Sequence, residues 1–147
     1  MKRLSVIIIC TALACAGCSK KEQDTVLQKL LDRWARSTRE LNYREYVKSE
    51  AVPRSSQVFR EMYRHYYLAD IMVMESDDPE SATERKGPDG MNILAREVNF
   101  ECTEVQRNTS KPSSLVRGNV TVIRFTEGER KNDGWLLWNR SIVRIKR

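Results

Sequence analysis

The sequence predicts an α+β domain in which N-terminal helices pack on a curved antiparallel sheet of about four strands. Apolar residues recur at helical spacing from Val26 to Tyr63 and at spacing two from Tyr66 onward, and these two periods separate a helical half from a strand half. The later strands are joined by short segments rich in Asn, Ser, Pro and Gly. Connections that short favour antiparallel neighbours over crossovers.

A chain of 147 residues supports one core but not two, which excludes multidomain enzymes and large cofactor folds. No cofactor is expected. Lys2 and Arg3 precede an apolar run from Leu4 to Gly17 that contains no acid, and Ser19, Lys20, Lys21 and Glu22 end it. That run suits an export signal; it is too short to span a bilayer, for which ~20 apolar residues are needed. It closes as Leu13-Ala14-Cys15-Ala16-Gly17-Cys18-Ser19, and small residues directly before a cysteine resemble the lipobox of bacterial lipoproteins. Gly17 and Ala16 make Cys18 the better acceptor, although Cys15 stands where that motif usually has leucine. Cys15 itself, behind Ala14 and Leu13, is the competing acceptor. The resemblance implies diacylation of Cys18, cleavage after Gly17 and acylation of the new N-terminus. Ser19 in place of an aspartate implies delivery to the outer membrane, with the domain facing the periplasm. Two or three acyl chains anchor firmly, since each buried methylene contributes ~0.8 kcal/mol. The expected organisation is a signal over residues 1–17, a lipidated tether over 18–23 and a single domain over 24–147.

Of four cysteines, Cys10 and Cys15 then leave with the signal and Cys18 carries lipid. Only Cys102 remains, so neither a disulfide framework nor a four-cysteine zinc site can be built. Period two puts Cys102 on the face of Val98 and Phe100, as a buried structural thiol.

Val26, Leu27, Leu30, Leu31 and Trp34 mark the first helix, with Asp24 or Thr25 as its cap and a turn from Ser37 to Asn42. A second short helix runs from Tyr43 to Val47. Ser55 or Ser56 caps a third, which carries Val58, Phe59, Met62 and Tyr63. A strand starts at Tyr66, with Tyr67, Ala69, Ile71 and Val73 opposing Leu68, Asp70, Met72 and Met74. Residues Ser76 to Asn92 hold two prolines and two glycines and read as a loop with a helical turn near Pro79 to Lys86. Three strands follow at Arg96 to Arg107, Leu115 to Thr126 and Trp135 to Lys146, with Gly118 as a candidate bulge.

Helices followed by long strands, the last led by a tryptophan, resemble the cone-shaped fold of the nuclear transport factor 2-like superfamily. The resemblance rests on element order and covers Gln23 to Arg147. It implies a concave sheet that holds a ligand or a partner surface. Because that superfamily includes isomerases, dehydratases and non-catalytic domains, the fold does not assign chemistry.

The catalytic inventory is thin. His65 is the only histidine, which excludes a histidine metal cluster, and it sits at a helix-to-strand junction as a surface residue. No metal site is expected. Asp70 lies between Leu68 and Met72 on a face that points either inward or to solvent. If inward, its raised pKa suits a base, and Tyr63, Tyr66 and Tyr67 could donate to a developing oxyanion. Asn139 and Ser141 alternate with Trp135 and Leu137, as polar handles in an apolar ligand pocket.

Without Lys2 and Arg3, 24 of the 26 bases face 20 acids, a net charge of +4. Arg140, Arg144, Lys146 and Arg147 crowd the C-terminus, where they could meet an anionic surface. No basic-aromatic motif points to nucleic acid. The leading expectation is a non-enzymatic binding or assembly lipoprotein of the cell envelope, holding an envelope protein or a small apolar ligand. The alternative is a small isomerase or hydratase built on Asp70 and the tyrosines.

Overall fold

The computed structural model describes residues 16–146, with side chains from Thr25 onward apart from Pro79. The expected signal before Ala16, Cys10 and Cys15 within it, Arg147 and the side chain of Cys18 lie outside the described residues. Three helices precede the sheet: α1 (Ala16–Glu40), α2 (Tyr43–Val47) and α3 (Ser56–Met62). The backbone of residues 18–23, expected as a tether, is the first part of α1; no Pro or Gly interrupts the chain from Cys18 to Glu40.

Leu27, Leu30, Leu31 and Trp34 turn one stripe of α1 inward, whereas Val26 is exposed. The helix continues past Ser37 because the Ser37 and Thr38 hydroxyls donate to the Trp34 and Ala35 carbonyls, at 2.6 and 2.8 Å. It ends at Leu41, whose φ of 50° permits a paired closure: Leu41 N–H donates to the Thr38 carbonyl and Asn42 N–H to that of Ser37. Asn42 and Ser55 then cap α2 and α3 by accepting from Glu45 N–H and Val58 N–H. Phe59 and Tyr63 face inward from α3, while Val58 and Met62 do not.

The sheet is curved, unclosed and antiparallel. It has five strands, β1 (Tyr66–Ser76), β2 (Thr83–Lys86), β3 (Asn92–Gln106), β4 (Pro112–Phe125) and β5 (Leu136–Lys146), in the order β1-β3-β4-β5, with β2 also paired to β3. β2 was not foreseen. Its residues Thr83 to Lys86 are all exposed, so no alternation marked it, and only pairing with Asn92 to Ala95 makes it a strand. The expected helical turn in this segment shrinks to a 3-10 turn at Pro79–Ser81.

Register sorts the two faces. Val98, Phe100 and Cys102 stand opposite Val120, Gly118 and Val116, and with Leu137 they meet the α1 stripe in the main core. Trp34 packs edge-on against Phe100 at 5.8 Å. The opposite face is polar in the middle, where Thr121 donates to Glu97, Asn119 to Asn99 and Arg117 to Glu101. Toward one end it becomes apolar again, with Ile93, Ala95, Ile123, Phe125 and Leu136 in a second cluster. This explains why β4 is apolar on both faces. Gly118 is not a bulge: it pairs in register with Phe100, and a Cβ there would overlap the Phe100 ring. The register shifts fall instead on β1, between Ala69 and Met72 and between Val73 and Glu75, at the start of β4, where Ser114 and Pro112 meet Glu104 and Val105, and where β4 residues Val120 and Val122 meet β5 residues Arg140 and Leu137.

Candidate functional site

Between the helices and the helix-facing side of the sheet lies a cavity of ≈ 780 Å³, within the range of small-molecule sites. Each wall has a local cause. α2 and α3 contribute an aromatic stack in which Tyr46 lies on Phe59 at 4.5 Å and Phe59 leans on Tyr63 at 5.3 Å. Even-numbered residues of β3 supply Phe100, Cys102 and Glu104, and β4 supplies Val116. On β5 the shifted register passes through Trp138 and Asn139, which both line the cavity, and the strand beyond points Arg140, Ile142 and Arg144 into it.

Glu50 reaches the site by another route. The segment after α2 runs parallel to the start of β5: Leu137 N–H donates to the Ser49 carbonyl at 2.8 Å and Ala51 N–H to the Leu137 carbonyl at 2.7 Å. That holds the buried Glu50 carboxylate 2.5 Å from Arg140 Nη2. Burial raises the Glu50 pKa, and the Arg140 guanidinium opposes the rise. Arg144 Nε donates to Glu104 at 2.9 Å in a more exposed pair.

The Arg140 guanidinium also lies over the Trp34 ring, 4.6 Å from its centre. Two buried donors at this point have no protein acceptor, Arg140 Nη1 and Trp34 Nε1. The Tyr63 hydroxyl is beside them. Burial pushes its pKa up to about 12, against the influence of Arg140 and of the Trp34 indole, although that indole N–H makes no hydrogen bond of ordinary geometry. Burial likewise pushes the Cys102 thiol up to about 12, so it is a packing group and not a nucleophile near neutral pH.

Several residues singled out from the sequence therefore meet: Tyr63, Tyr66, Tyr67, Asn139, Arg140 and Arg144 all line the cavity. Others do not. Asp70 adopts φ 51° at the β1 shift and is exposed, because the irregularity brings Leu68 and Ile71 inward and turns the intervening carboxylate out. It is not a cavity base. Ser141 pairs with Asn119 on the polar face. Trp135 sits before β5 beside the Arg96 and Arg124 guanidiniums, at 5.5 and 5.3 Å. The C-terminal basic cluster is not a free cationic patch either, since Arg140 and Arg144 are ion-paired; Lys146, at the end of β5, is exposed. His65 is exposed, as expected.

Trp34, Glu50, Arg54, Glu104 and Trp138 complete the site and were missed. The helical period marked Trp34 as core, and nothing local distinguishes Glu50 from a surface glutamate. Among the described residues no group of three or more acidic, histidine or cysteine side chains could hold a metal, and no helix is long and apolar enough to cross a membrane. No protein-family model, curated protein or solved structure matches this chain.

Proposed function

We propose that this chain is a lipid-anchored lipoprotein of the cell envelope whose α+β domain is a non-enzymatic binding module, holding a small ligand in the cavity between helices and sheet. The observation that carries the binding reading is the cavity itself, ≈ 780 Å³ and walled by Trp34, Tyr46, Phe100 and Trp138 with Asn139, Arg140 and Arg144 as polar groups among them. The chemistry inside favours holding over transforming. Tyr63 and Cys102 keep their protons at neutral pH, and Glu50 is held by Arg140. With Asp70 outside, the isomerase or hydratase alternative loses the base the sequence offered it, and the carboxylates that do line the cavity, Glu50 and Glu104, are each paired with an arginine.

The address rests on the Leu13 to Ser19 resemblance, and the cone-like superfamily on helices preceding a curved antiparallel sheet. An envelope protein as the bound partner is the second reading. It is favoured by the open edge of β5, where Ile142, Val143 and Ile145 are exposed beside Arg144 and Lys146. The binding reading is tested by native mass spectrometry of the full-length protein extracted in mild non-ionic detergent. A discrete small-molecule adduct that is lost in Trp34→Phe supports it; an adduct-free domain bound stoichiometrically to another protein would replace it with the second. For the anchor, Cys18→Ser yields an unprocessed precursor without acyl chains, and normal cleavage with acylation of that variant refutes Cys18 as acceptor.

A further inference from the structure

We propose that the free edge of β5 docks an extended, acidic segment of a partner protein. The segment adds to the sheet as a further strand, with apolar side chains against Ile142 and Val143 and carboxylates toward Lys146 and Arg54. The inference rests on the protein-partner reading above and supplies that partner's conformation and charge; it does not depend on the cavity holding a small molecule.

The edge is regular and bare. β5 ends the sheet path. Its Leu137 N–H and C=O are taken by Ser49 and Ala51, and beyond Asn139 no backbone runs alongside among the described residues. The shift in register lies before Arg140. From there to Lys146 the strand pairs with β4 without interruption, which leaves an edge roughly 20 Å long whose outward N–H and C=O groups can receive a neighbour. No Pro or Gly follows Asn139. The long charged side chains that commonly guard an edge are turned back over the fold, since Arg140 reaches Glu50 and Arg144 reaches across β4 to Glu104 of β3. Between these two arginines, Ile142 is 40% exposed beside Val52 and Met62 at the cavity mouth, and Val143 and Ile145 are exposed on the other face. An added strand therefore meets apolar groups on both of its faces.

Charge selects the occupant. From Gly134 to Arg147 the chain carries four bases and no acid. Glu50 and Glu104 neutralise Arg140 and Arg144. Lys146, and Arg54 at the cavity mouth, are left as exposed cations without an ion pair among the described residues. A second copy of this chain does not fit. A two-fold axis normal to the sheet sets residues of the same face opposite one another. Every such register that pairs most of residues 140–146 brings Arg140 against Arg144 or Lys146, or the two copies of Arg144 together. A strand with Glu or Asp at the matching positions turns these juxtapositions into ion pairs.

The experiment uses the full-length protein, ¹⁵N-labelled, in mild non-ionic detergent, and reads backbone amide shifts. The probes are the capped peptide Glu-Val-Glu-Val-Val-Thr-Glu, its counterpart with lysine for each glutamate, and two forms of the first that are N-methylated at alternate residues in opposite frames. The acidic peptide is expected to shift the amides of Arg140 to Lys146 and to slow their exchange with solvent, with those of β1 unmoved. The lysine peptide is expected to bind about fivefold more weakly. A strand turns only every second N–H toward its neighbour, so one N-methyl frame should cost about tenfold or more and the other far less. Lys146→Glu with Arg54→Glu changes two exposed residues and should reverse the order of the two peptides. Equal affinity for the acidic and lysine peptides, or equal loss in the two N-methyl frames, overturns the inference. It also falls if neither peptide shifts the β5 amides. If native mass spectrometry then still finds a stoichiometric protein partner, the partner reading stands with its contact elsewhere; without one, that reading falls too. A peptide-free protein that is dimeric in native mass spectra and monomeric as Val143→Lys overturns the inference in favour of a second copy.

Discussion

Two buried protons bear on the behaviour of individual residues. Burial raises the Cys102 pKa from 9.0 and the Tyr63 pKa from 10.0, each to about 12. Between those values the unfolded chain has lost protons that the folded chain still holds, so deprotonation lowers the free energy of the unfolded state and stability falls as pH rises. Below pH 9 both contributions are fully present. Urea midpoints are therefore expected to decline from pH 9 to 12, with the part above pH 10 diminished in Tyr63→Phe; an unchanged decline in that variant would argue against Tyr63 as a source. At pH 8 a thiol reagent is expected to label Cys102 at the rate of unfolding, so labelling at the speed of a free thiol contradicts a buried site. Gly118 carries a different constraint. Its missing side chain is where the Phe100 ring sits, and Gly118→Ala should destabilise the domain by about 1–3 kcal/mol through overpacking, measured by denaturant titration.

Elements of this fold are held by side chains that take over backbone roles. Where β1 departs from regular pairing with β3, Gln28 of α1 stands in for a neighbouring strand: its Nε2 donates to the Ile71 carbonyl at 2.8 Å and its Oε1 accepts from Val73 N–H at 2.9 Å. The edge of β1 is thereby closed to other strands. Arg107, just beyond β3, performs the matching service for helix ends. It donates to the Arg39 and Thr38 carbonyls at 2.8 Å and to the Tyr63 carbonyl at 3.3 Å, joining the C-termini of α1 and α3 with a positive charge at their negative ends. Removing it by Arg107→Ala should cost about 2–4 kcal/mol, judged from the usual 1.5–3 kcal/mol for hydrogen bonds to charged groups plus the dipole effect. Arg107→Lys, with one compact head, should recover only part of that. Equal stability of wild type and alanine variant in a thermal melt would remove the clamp from the account.

At the scale of the whole molecule the two edges of the main sheet path are unequal. β1 is covered by α1, whereas β5 is shielded only at its start, by the Ser49 to Ala51 segment, and beyond Asn139 no backbone runs alongside its outer edge among the described residues. Val143 there is 63% exposed. An open apolar edge templates further pairing, so the wild-type domain is expected to aggregate on heating sooner than Val143→Lys. Light scattering during a temperature ramp measures this; identical onset temperatures would show that the edge is already protected. The arginine-rich composition also acquires a purpose at this scale. Arg140 on Trp34, Arg107 by Tyr67, Arg85 by Trp138 and Arg130 on Phe125 all place a guanidinium near an aromatic ring, an arrangement that favours a planar cation over the ammonium of lysine.

The helices, the three long strands and the buried thiol were legible in the sequence, because each depends on neighbours at spacing two or 3.6 and on local caps such as Asn42 and Ser55. Local pattern also gathered half of the site, the tyrosines after α3 and the arginines of β5. It failed where the answer lay in another segment. β2 has no apolar alternation and exists only through β3. The inward or outward direction of Asp70 was set by a one-residue irregularity that reverses a period-two reading. Glu50 becomes a site residue only when its backbone joins β5, and Arg140 only when Trp34 of α1 lies beneath it. Periodicity records which side of an element is apolar, and this the sequence determined by itself; the tertiary structure alone decided which polar groups from distant elements share one buried volume, because their energies depend on what surrounds them after the chain has closed.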